Sequence, residues 1–270
     1  MFIVKVPGIN GLGKTNGCEN SGNAIINELK DIHMNEQGKI VDVSLLDLEE
    51  IHLDNSNLEL TNNLIYKNSF ETFENKPKVV FLGGDHSISY STTKAFFEHC
   101  KNHQKDPCLI VFDAHPDCME SADEKFPTHE EWLRSLIKAG FPTENILLVG
   151  VRNQHVQENS FLKENNIKTI SMNRFLEDLQ ETCDILMEFS NKKELYVSID
   201  IDAIDPSFAP STGYQEPGGF TSRQFLYLIQ RINKMKNLRA VDIVEINEKE
   251  DKKNNNTTLK LGAKILSELL

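Results

Sequence analysis

The sequence predicts an α/β fold, a three-layer α/β/α sandwich built around a mostly parallel, eight-stranded sheet. Short runs such as VVFL (79–82) and LIVF (109–112) are apolar at every position, which is typical of strands covered on both faces. Stretches with helical spacing of apolar residues separate these runs, and this alternation gives a layered α/β structure. No internal repeat or linker divides the 270 residues, so we expect one domain, 1–270.

The individual elements follow from the same patterns. Strands are predicted at Phe2–Val6, Ile40–Val43, Lys78–Leu82, Cys108–Phe112, Ile146–Val149, Lys168–Ser171, Leu195–Ile199 and Arg239–Val244. Helices are predicted at Ser87–His103, Glu130–Ala139, Asn173–Phe189, Ser222–Met235 and Thr258–Leu270. Two polar segments, Asp54–Asn63 and Lys249–Asn256, are predicted to be surface loops, because charge runs are usually solvated.

The charge balance restricts the class of partner. A formal net charge of −12 disfavours nucleic acid and anionic membrane surfaces, since both repel an acidic protein. The same charge favours a small cationic substrate or metal ions. The five cysteines are odd in number and contain no CxxC pair, which indicates reduced thiols and a cytoplasmic location. No stretch approaches the ~18 apolar residues of a membrane span.

Aspartate and histidine residues are concentrated after three of the predicted strands. The segments are GGDHS (83–87), DAHPD (113–117) and DIDAIDP (200–206), and each begins where an apolar run ends. Ligands of open α/β sheets bind at the carboxyl ends of the strands, where the loops converge. We therefore expect the functional site at this edge of the sheet.

The spacing of these residues favours a site for two divalent cations. Four carboxylates gathered at one edge would repel one another, and two dications would compensate that charge. In an extended segment, alternate residues point the same way, so the aspartates and the histidine of DAHPD can face one site. Carboxylate-rich sites with some imidazole suit Mn²⁺. The predicted metal ligands are His86, Asp113, His115, Asp117, Asp200 and Asp202. The alternative, that these are turn-forming and surface carboxylates, is disfavoured because three such motifs follow apolar strands.

The three motifs together resemble the signature of the ureohydrolases, the arginase and agmatinase family, over the chain from about Gly83 to its end. The resemblance implies an eight-stranded parallel sheet, two Mn²⁺ per chain and assembly into a trimer or hexamer. It implies one Mn²⁺ held by His86, Asp113, Asp117 and Asp200, and a second held by Asp113, His115, Asp200 and Asp202. Asp113 and Asp200 would bridge the two ions.

The resemblance also implies two catalytic residues. Glu245 in DIVEIN resembles the glutamate that holds the guanidinium group, and His129 in FPTHEEWL resembles the histidine that transfers protons. The alternatives are a loop carboxylate and a surface histidine. Asp85 and Asp205 are expected either to orient a ligating histidine or to form turns. Four of the remaining histidines are predicted to be surface or core residues: His33, His52, His99 and His103. His155 is excepted, because it lies in a loop after a predicted strand, and its role stays open. Cys118 adjoins Asp117, but nothing indicates a nucleophile.

We therefore expect a hydrolase that releases urea and an amine from a guanidino compound. Arginine-specific members have Asn and small hydroxyl residues after the last aspartate, whereas the segment 118–123 has no Asn at the matching place. Its two acids, Glu120 and Asp123, would repel a carboxylate. This ranks an agmatine-like substrate first and L-arginine a close second, since Glu158 matches a position that meets a substrate amino group. Formiminoglutamate or a guanidino acid is third. Two other classes remain open: a one-metal zinc deacetylase, disfavoured by the full ligand set, and a non-catalytic metal-binding homologue.

Overall fold

The computed structural model describes residues 1–121 and 125–270. Within these residues eight strands form one sheet in the order β2-β1-β3-β8-β7-β4-β5-β6, and every neighbouring pair is parallel. The strands are β1 Phe2–Lys5, β2 Asp47–Glu50, β3 Val79–Leu82, β4 Pro107–Phe112, β5 Ile146–Val149, β6 Lys168–Ile170, β7 Glu194–Asp200 and β8 Leu238–Val244. This confirms the predicted α/β class and the parallel sheet.

Two helical layers cover the sheet. The α-helices of the described chain are α1 Ser21–Leu29, α2 Leu58–Asn75, α3 Ile88–Asn102, α4 Trp132–Lys138, α5 Val156–Glu164, α6 Met172–Glu177, α7 Leu179–Phe189, α8 Ser222–Asn233, α9 Glu248–Asp251 and α10 Thr257–Leu269. Residues of α1, α6–α8 and α10 share one apolar core with one face of the sheet, and residues of α2–α5 share a second core with the other face. In β3, for example, Val80 and Leu82 lie in the first core and Val79 and Phe81 in the second, as the pleat of a strand requires.

The predicted strand Ile40–Val43 is wrong. Ile40 is 72% exposed and makes only an isolated antiparallel bridge with Met34, while the edge strand of the sheet is β2, Asp47–Glu50. The sequence of β2, DLEE, is polar because an edge strand with exposed side chains needs no apolar run. Its hydrogen bonds to β1 and the ion pair between Lys5 and Glu50 (2.5 Å) hold it in place.

Two other segment predictions require correction, and two helices were not predicted. The loop predicted at Asp54–Asn63 ends at Leu58, where α2 begins, capped by the side chain of Asn57. The helix predicted at Asn173–Phe189 is two helices, because Asp178 has an extended backbone (φ −154°) and caps α7. Helices α1 and α5 lie in segments for which no helix was predicted.

The loop predicted at Lys249–Asn256 is wrong at its start, which belongs to the short helix α9. Its last residue, Asp251, is fully buried. The Asp251 carboxylate accepts hydrogen bonds from the backbone N–H groups of Thr258 (3.1 Å) and Leu259 (2.7 Å). A carboxylate at a helix N-terminus satisfies amide groups that the helix itself leaves unpaired, so this segment anchors α10.

Four central strands position the site. Strands β3, β8, β7 and β4 are consecutive neighbours in the sheet, so their carboxyl ends lie side by side at one edge. The predicted motifs follow three of these strands, and Glu245 follows the fourth. Among the residues described, no helix is long and apolar enough to cross a membrane. The assignment of residues 1–270 to a single domain stays a prediction.

Candidate metal centre

A tight turn after β3 delivers His86 to the edge of the sheet. Gly83 and Gly84 have φ values of +93° and +79°, which residues with a Cβ adopt only with strain. A Cβ on Gly84 would lie 2.5 Å from the carbonyl oxygen of Gly8, so no larger residue fits there. The turn leads directly into α3, and the buried His86 imidazole faces the ends of β4 and β7.

Three carboxylates converge on one nitrogen of His86. Its Nδ1 lies 3.1 Å from Asp113 Oδ2, 2.9 Å from Asp117 Oδ2 and 3.2 Å from Asp200 Oδ2. All four side chains are buried. Even so, neither His86 Nδ1 nor Asp113 Oδ2 has a hydrogen-bond partner among the described residues. Buried polar atoms are nearly always satisfied, and a divalent cation between these atoms would satisfy them together.

A second group of ligand atoms shares Asp113. The Nδ1 atom of His115 lies 3.0 Å from Asp202 Oδ2 and 3.6 Å from Asp113 Oδ1. Asp113 therefore presents Oδ2 to the first group and Oδ1 to the second, as a bridging carboxylate would. The Asp200 Oδ2 atom faces the first group, and Oδ1 accepts the backbone N–H of Asp202 (2.8 Å). The bridging role of Asp200 stays a prediction.

The site carries more negative charge than the protein alone compensates. Burial and the charge of Asp113 raise the pKa of Asp117 to about 7. Burial and neighbouring carboxylates also raise the pKa values of Asp200 and Asp202. Burial alone would lower the pKa of His86, but the surrounding aspartates outweigh it and raise that pKa. Without cations, protons must partly neutralise the cluster; two dications would do so directly.

A second layer of side chains fixes the orientation of both histidines. His86 Nε2 lies 2.9 Å from Ser198 Oγ, which donates to Asp242 Oδ1 (2.7 Å). His115 Nε2 lies 3.4 Å from Glu216 Oε1. In each case the far ring nitrogen is engaged, which leaves Nδ1 as the lone-pair donor toward the aspartates, the usual arrangement of metal-binding histidines.

Sequence reasoning missed these supporting residues, although a signal was present for two of them. Ser198 and Asp242 are polar residues inside otherwise apolar strands, and they lie directly opposite each other in the register of β7 and β8. Buried polar residues that pair across a sheet indicate a polar network. Trp132 was also missed: its Nε1 donates to Asp117 Oδ2 (2.8 Å), and its ring lies 4.7 Å from that of His86.

The predicted catalytic pair, Glu245 and His129, lies beside the cluster. Glu245 Oε1 is 3.2 Å from His129 Nδ1 and accepts the backbone N–H of His86 (2.9 Å). Burial lowers the pKa of His129, but the hydrogen bond to Glu245 and its charge outweigh this and raise the pKa to about 9. The opposite nitrogen, Nε2, is buried and has no hydrogen-bond partner in the part of the chain that the structure describes. A protonated His129 therefore has one N–H available for transfer.

A cavity of about 320 Å³ joins the cluster to the catalytic pair. Its lining includes the buried acids Asp200, Asp202 and Glu245 and the half-buried residues Tyr214 and Glu130. The Tyr214 ring lies 5.5 Å from the His129 ring. All six predicted metal ligands and both predicted catalytic residues thus lie at or beside one cavity, since His86 and Asp113 contact its lining residues.

Other predicted residues have different roles. Asp85 accepts from Asn10 N–H and the Thr15 hydroxyl, so it anchors an N-terminal loop rather than a histidine. Asp205 accepts the backbone N–H groups of Ser207 and Gly218, which makes it a turn former. Cys118 is buried.

Glu158 lines the cavity, but both of its oxygens are held: Oε1 accepts Cys118 N–H (2.9 Å) and Oε2 accepts His155 N–H (2.8 Å). His155 caps α5 and also lines the cavity. The predicted contribution of Asp123 to substrate choice lies outside the described residues.

Known proteins resemble this chain in sequence. A sequence model of the Arginase family matches residues 1–270. An arginase of Staphylococcus aureus strain MRSA252 is 28% identical over 248 residues, which cover 83% of this chain and 80% of that protein.

Two solved structures share the fold. Formimidoylglutamase of Bacillus subtilis has a TM-score of 0.88 at 24% identity, covering 99% of this chain and 84% of that one. A hypothetical agmatinase of Burkholderia thailandensis has a TM-score of 0.83 at 22% identity, covering 99% and 84%. At these identities the structures bear on the fold alone, but the family match spans the whole sequence. The chain belongs to the arginase family of hydrolases.

Proposed function

We propose that the protein hydrolyses a C–N bond of a small, linear guanidino compound at a centre of two Mn²⁺ ions, releasing urea and an amine. One observation carries this proposal. Asp113 is shared between two groups of metal-ligand atoms, and the Glu245–His129 pair lies beside the same cavity. A centre of paired cations next to a buried carboxylate and a proton donor suits the hydrolysis of a cationic amidine.

The ligand atoms divide into two sets. We assign His86, Asp113, Asp117 and Asp200 to the first ion, and Asp113, His115, Asp200 and Asp202 to the second. Paired divalent cations supply a strong nucleophile at neutral pH, because they lower the pKa of water from ~15.7 to ~7. The carboxylate-rich donor set favours Mn²⁺ over zinc, which more often binds thiolates or several imidazoles.

The chain's own residues bind and protonate the substrate. A guanidinium group has parallel N–H donors that match the two oxygens of a carboxylate, and we assign this contact to Glu245. His129 stays protonated at neutral pH because Glu245 raises its pKa to about 9. Its Nε2–H is the proton that we assign to the departing amine, which must leave as a neutral molecule.

The cavity lining favours a substrate without a carboxylate. Among the described residues that line it there is no Lys or Arg, whereas Glu130 and Glu158 both belong to the lining. A carboxylate tail would therefore meet no Lys or Arg in the lining and would be repelled by Glu130. An agmatine-like amine ranks first on this ground. L-Arginine is the second candidate, since the S. aureus relative is named arginase.

A substrate panel on the Mn²⁺-loaded protein tests the proposal. Urea release is measured from agmatine and from L-arginine, and formamide release from N-formimino-L-glutamate. We expect the largest kcat/KM for agmatine. A higher value for L-arginine would overturn the substrate ranking, while product from none of the three, with two metals bound per chain, would favour a non-catalytic metal-binding protein.

The role of Glu245 has its own test. Glu245→Gln is expected to keep both metal ions but to lose most turnover, because a neutral amide no longer compensates the substrate charge. Glu164→Gln, an exposed change on α5, is the matched control and should leave kcat/KM unchanged. Equal turnover in the two variants would contradict the assignment.

Assembly and location are part of the same proposal by resemblance. We expect a homo-oligomer, a trimer or hexamer, in the cytoplasm. Light scattering coupled to size-exclusion chromatography gives the mass directly, and a monomer at micromolar concentration would contradict the assembly.

A further inference from the structure

A second cluster of metal-ligand side chains lies at the far end of α3. It consists of Glu74, near the end of α2, and of His99 and His103 at the end of α3, and their ligand atoms all lie within 4.8 Å of one another. About 17 Å of helix, at 1.5 Å per residue, separates His99 from Ile88, where α3 begins beside the candidate metal centre. The cluster is therefore independent of that centre and of the proposed function.

The ring of His103 is oriented as a metal ligand would be. Its Nδ1 lies 2.9 Å from the carbonyl oxygen of His99, and a carbonyl only accepts, so Nδ1 carries the proton. The other nitrogen, Nε2, then has a free lone pair and lies 3.7 Å from Glu74 Oε2. A histidine that donates one N–H to a backbone carbonyl and presents the other nitrogen is the common arrangement at metal sites.

His99 completes the set from one helical turn earlier. Its Nδ1 lies 2.7 Å from Glu74 Oε1, and its ring packs 4.3 Å from that of His103. The Nε2 side of His99 has only a long contact of 3.4 Å to Arg239 Nη2, which donates more closely to the carbonyl oxygen of Phe73 (2.7 Å). Without metal, Nδ1–H of His99 donates to Glu74 Oε1. An ion bound at Nδ1 would replace this hydrogen bond with bonds to both side chains, and the proton would then lie on Nε2 in place of the long Arg239 contact.

We propose that Glu74, His99 and His103 form a second metal site, which takes Zn²⁺ and joins the ends of α2 and α3. Two imidazoles and one carboxylate are a donor set that zinc uses with a fourth, open position. Imidazole ligands also separate this site from the carboxylate-rich centre, which suits harder ions. The side chains of Glu74 and His103 are 38% and 47% exposed, so an ion can reach the site from solvent, while the largely buried His99 fixes its position.

Zinc counting in matched variants tests this proposal. The Mn²⁺-loaded protein is equilibrated with Zn²⁺ alone, passed over a desalting column and analysed for zinc per chain. We compare the wild type with His103→Ala, Glu74→Gln and the control His52→Ala, which removes an exposed histidine outside the cluster. Because all four proteins keep the same catalytic centre, any exchange of zinc for manganese there cancels in the comparison.

We expect His103→Ala and Glu74→Gln each to hold one zinc fewer than the wild type and His52→Ala. Titration with Zn²⁺ should show one binding step fewer in these two variants. Fluorescence of Trp132, which adjoins the catalytic centre, reports that centre separately and should respond alike in all four proteins. Equal zinc content in all four, or an equal loss in His52→Ala, would overturn the proposal.

Discussion

Replacing Ser198 by Ala should weaken metal binding at a centre that Ser198 does not itself coordinate. The hydroxyl of Ser198 lies between His86 Nε2 (2.9 Å) and Asp242 Oδ1 (2.7 Å). With this link the His86 ring keeps its proton on Nε2 and its lone pair on Nδ1, toward the aspartates. Without the link both tautomers become available, so part of the ring population turns an N–H toward the metal ligands.

The structure offers a matched control for this change. Asp242 also accepts hydrogen bonds from Ser89 Oγ (2.8 Å) and Tyr196 OH (2.9 Å), both at Oδ2. Ser89→Ala therefore removes a bond to the same buried carboxylate without touching the line from Asp242 to His86. A hydrogen bond to a charged group contributes about 1.5–3 kcal/mol, so each variant should lose about that much free energy of unfolding in the metal-free state.

Metal affinity should separate the two variants. Loss of the residue that orients a ligating histidine costs about 10- to 100-fold in affinity, and we expect this loss for Ser198→Ala only. The protein has one tryptophan, and Trp132 packs 4.7 Å from the His86 ring, so quenching of its fluorescence by Mn²⁺ gives the dissociation constant. Urea unfolding of the metal-free proteins gives the stability. Equal dissociation constants for the two variants would refute the orienting role.

Three further predictions follow from the site and from the cysteines. Because Glu245 raises the pKa of His129 to about 9, their interaction stabilises the metal-free protein fully below pH 6.5 and is lost as the pH rises through 9. The difference in Tm between the wild type and His129→Asn should therefore shrink across that range, and a constant difference would contradict this interaction. Tyr214 packs against Lys14 and His129 and lines the cavity, so we expect the proposed cationic substrate to contact its ring. Tyr214→Ala should raise KM about fivefold to thirtyfold, the equivalent of 1–2 kcal/mol, and Tyr214→Phe much less; equal KM values would sink this role. Burial raises the pKa values of all five cysteine thiols: Cys18, Cys100, Cys108, Cys118 and Cys183. They should react with a thiol reagent only after denaturation, and rapid labelling of the native protein would contradict this.

The central strands were predictable because burial on both faces leaves an unambiguous pattern. Strand β5 was predicted with its observed bounds, Ile146–Val149, since every side chain in it faces one of the two cores. Strand β2 was not predictable, because its exposed side chains impose no apolar pattern and its position depends on pairing with β1. The long helix α2 was missed for a related reason: its N-terminal turns are rich in Asn and Glu, which resemble a loop in composition.

The convergence of the predicted ligand side chains could be foreseen because parallel strands all end at one edge of the sheet. The direction in which each side chain points was harder to infer than its position at the edge of the sheet. Asp85 and His86 are neighbours in sequence, yet Asp85 faces the loop at Asn10 and Thr15 while His86 faces Asp113. Supporting residues were harder still, since Ser198 lies 112 positions from the histidine that it contacts, and no local motif joins two such residues.

Two residues of the site have a strained backbone conformation. Asp117 and Glu245 have φ values of 50° and 65°, a left-handed conformation that costs roughly 1–2 kcal/mol for a residue with a Cβ. Both are buried, whereas the other residues of the described chain with such φ values, apart from glycines, are exposed or half-buried. Glycine would remove the strain at either position but would also remove the carboxylate. Strain retained at two buried acids that line the cavity indicates a need for their carboxylates at those points, as the proposed cations and cationic substrate would require.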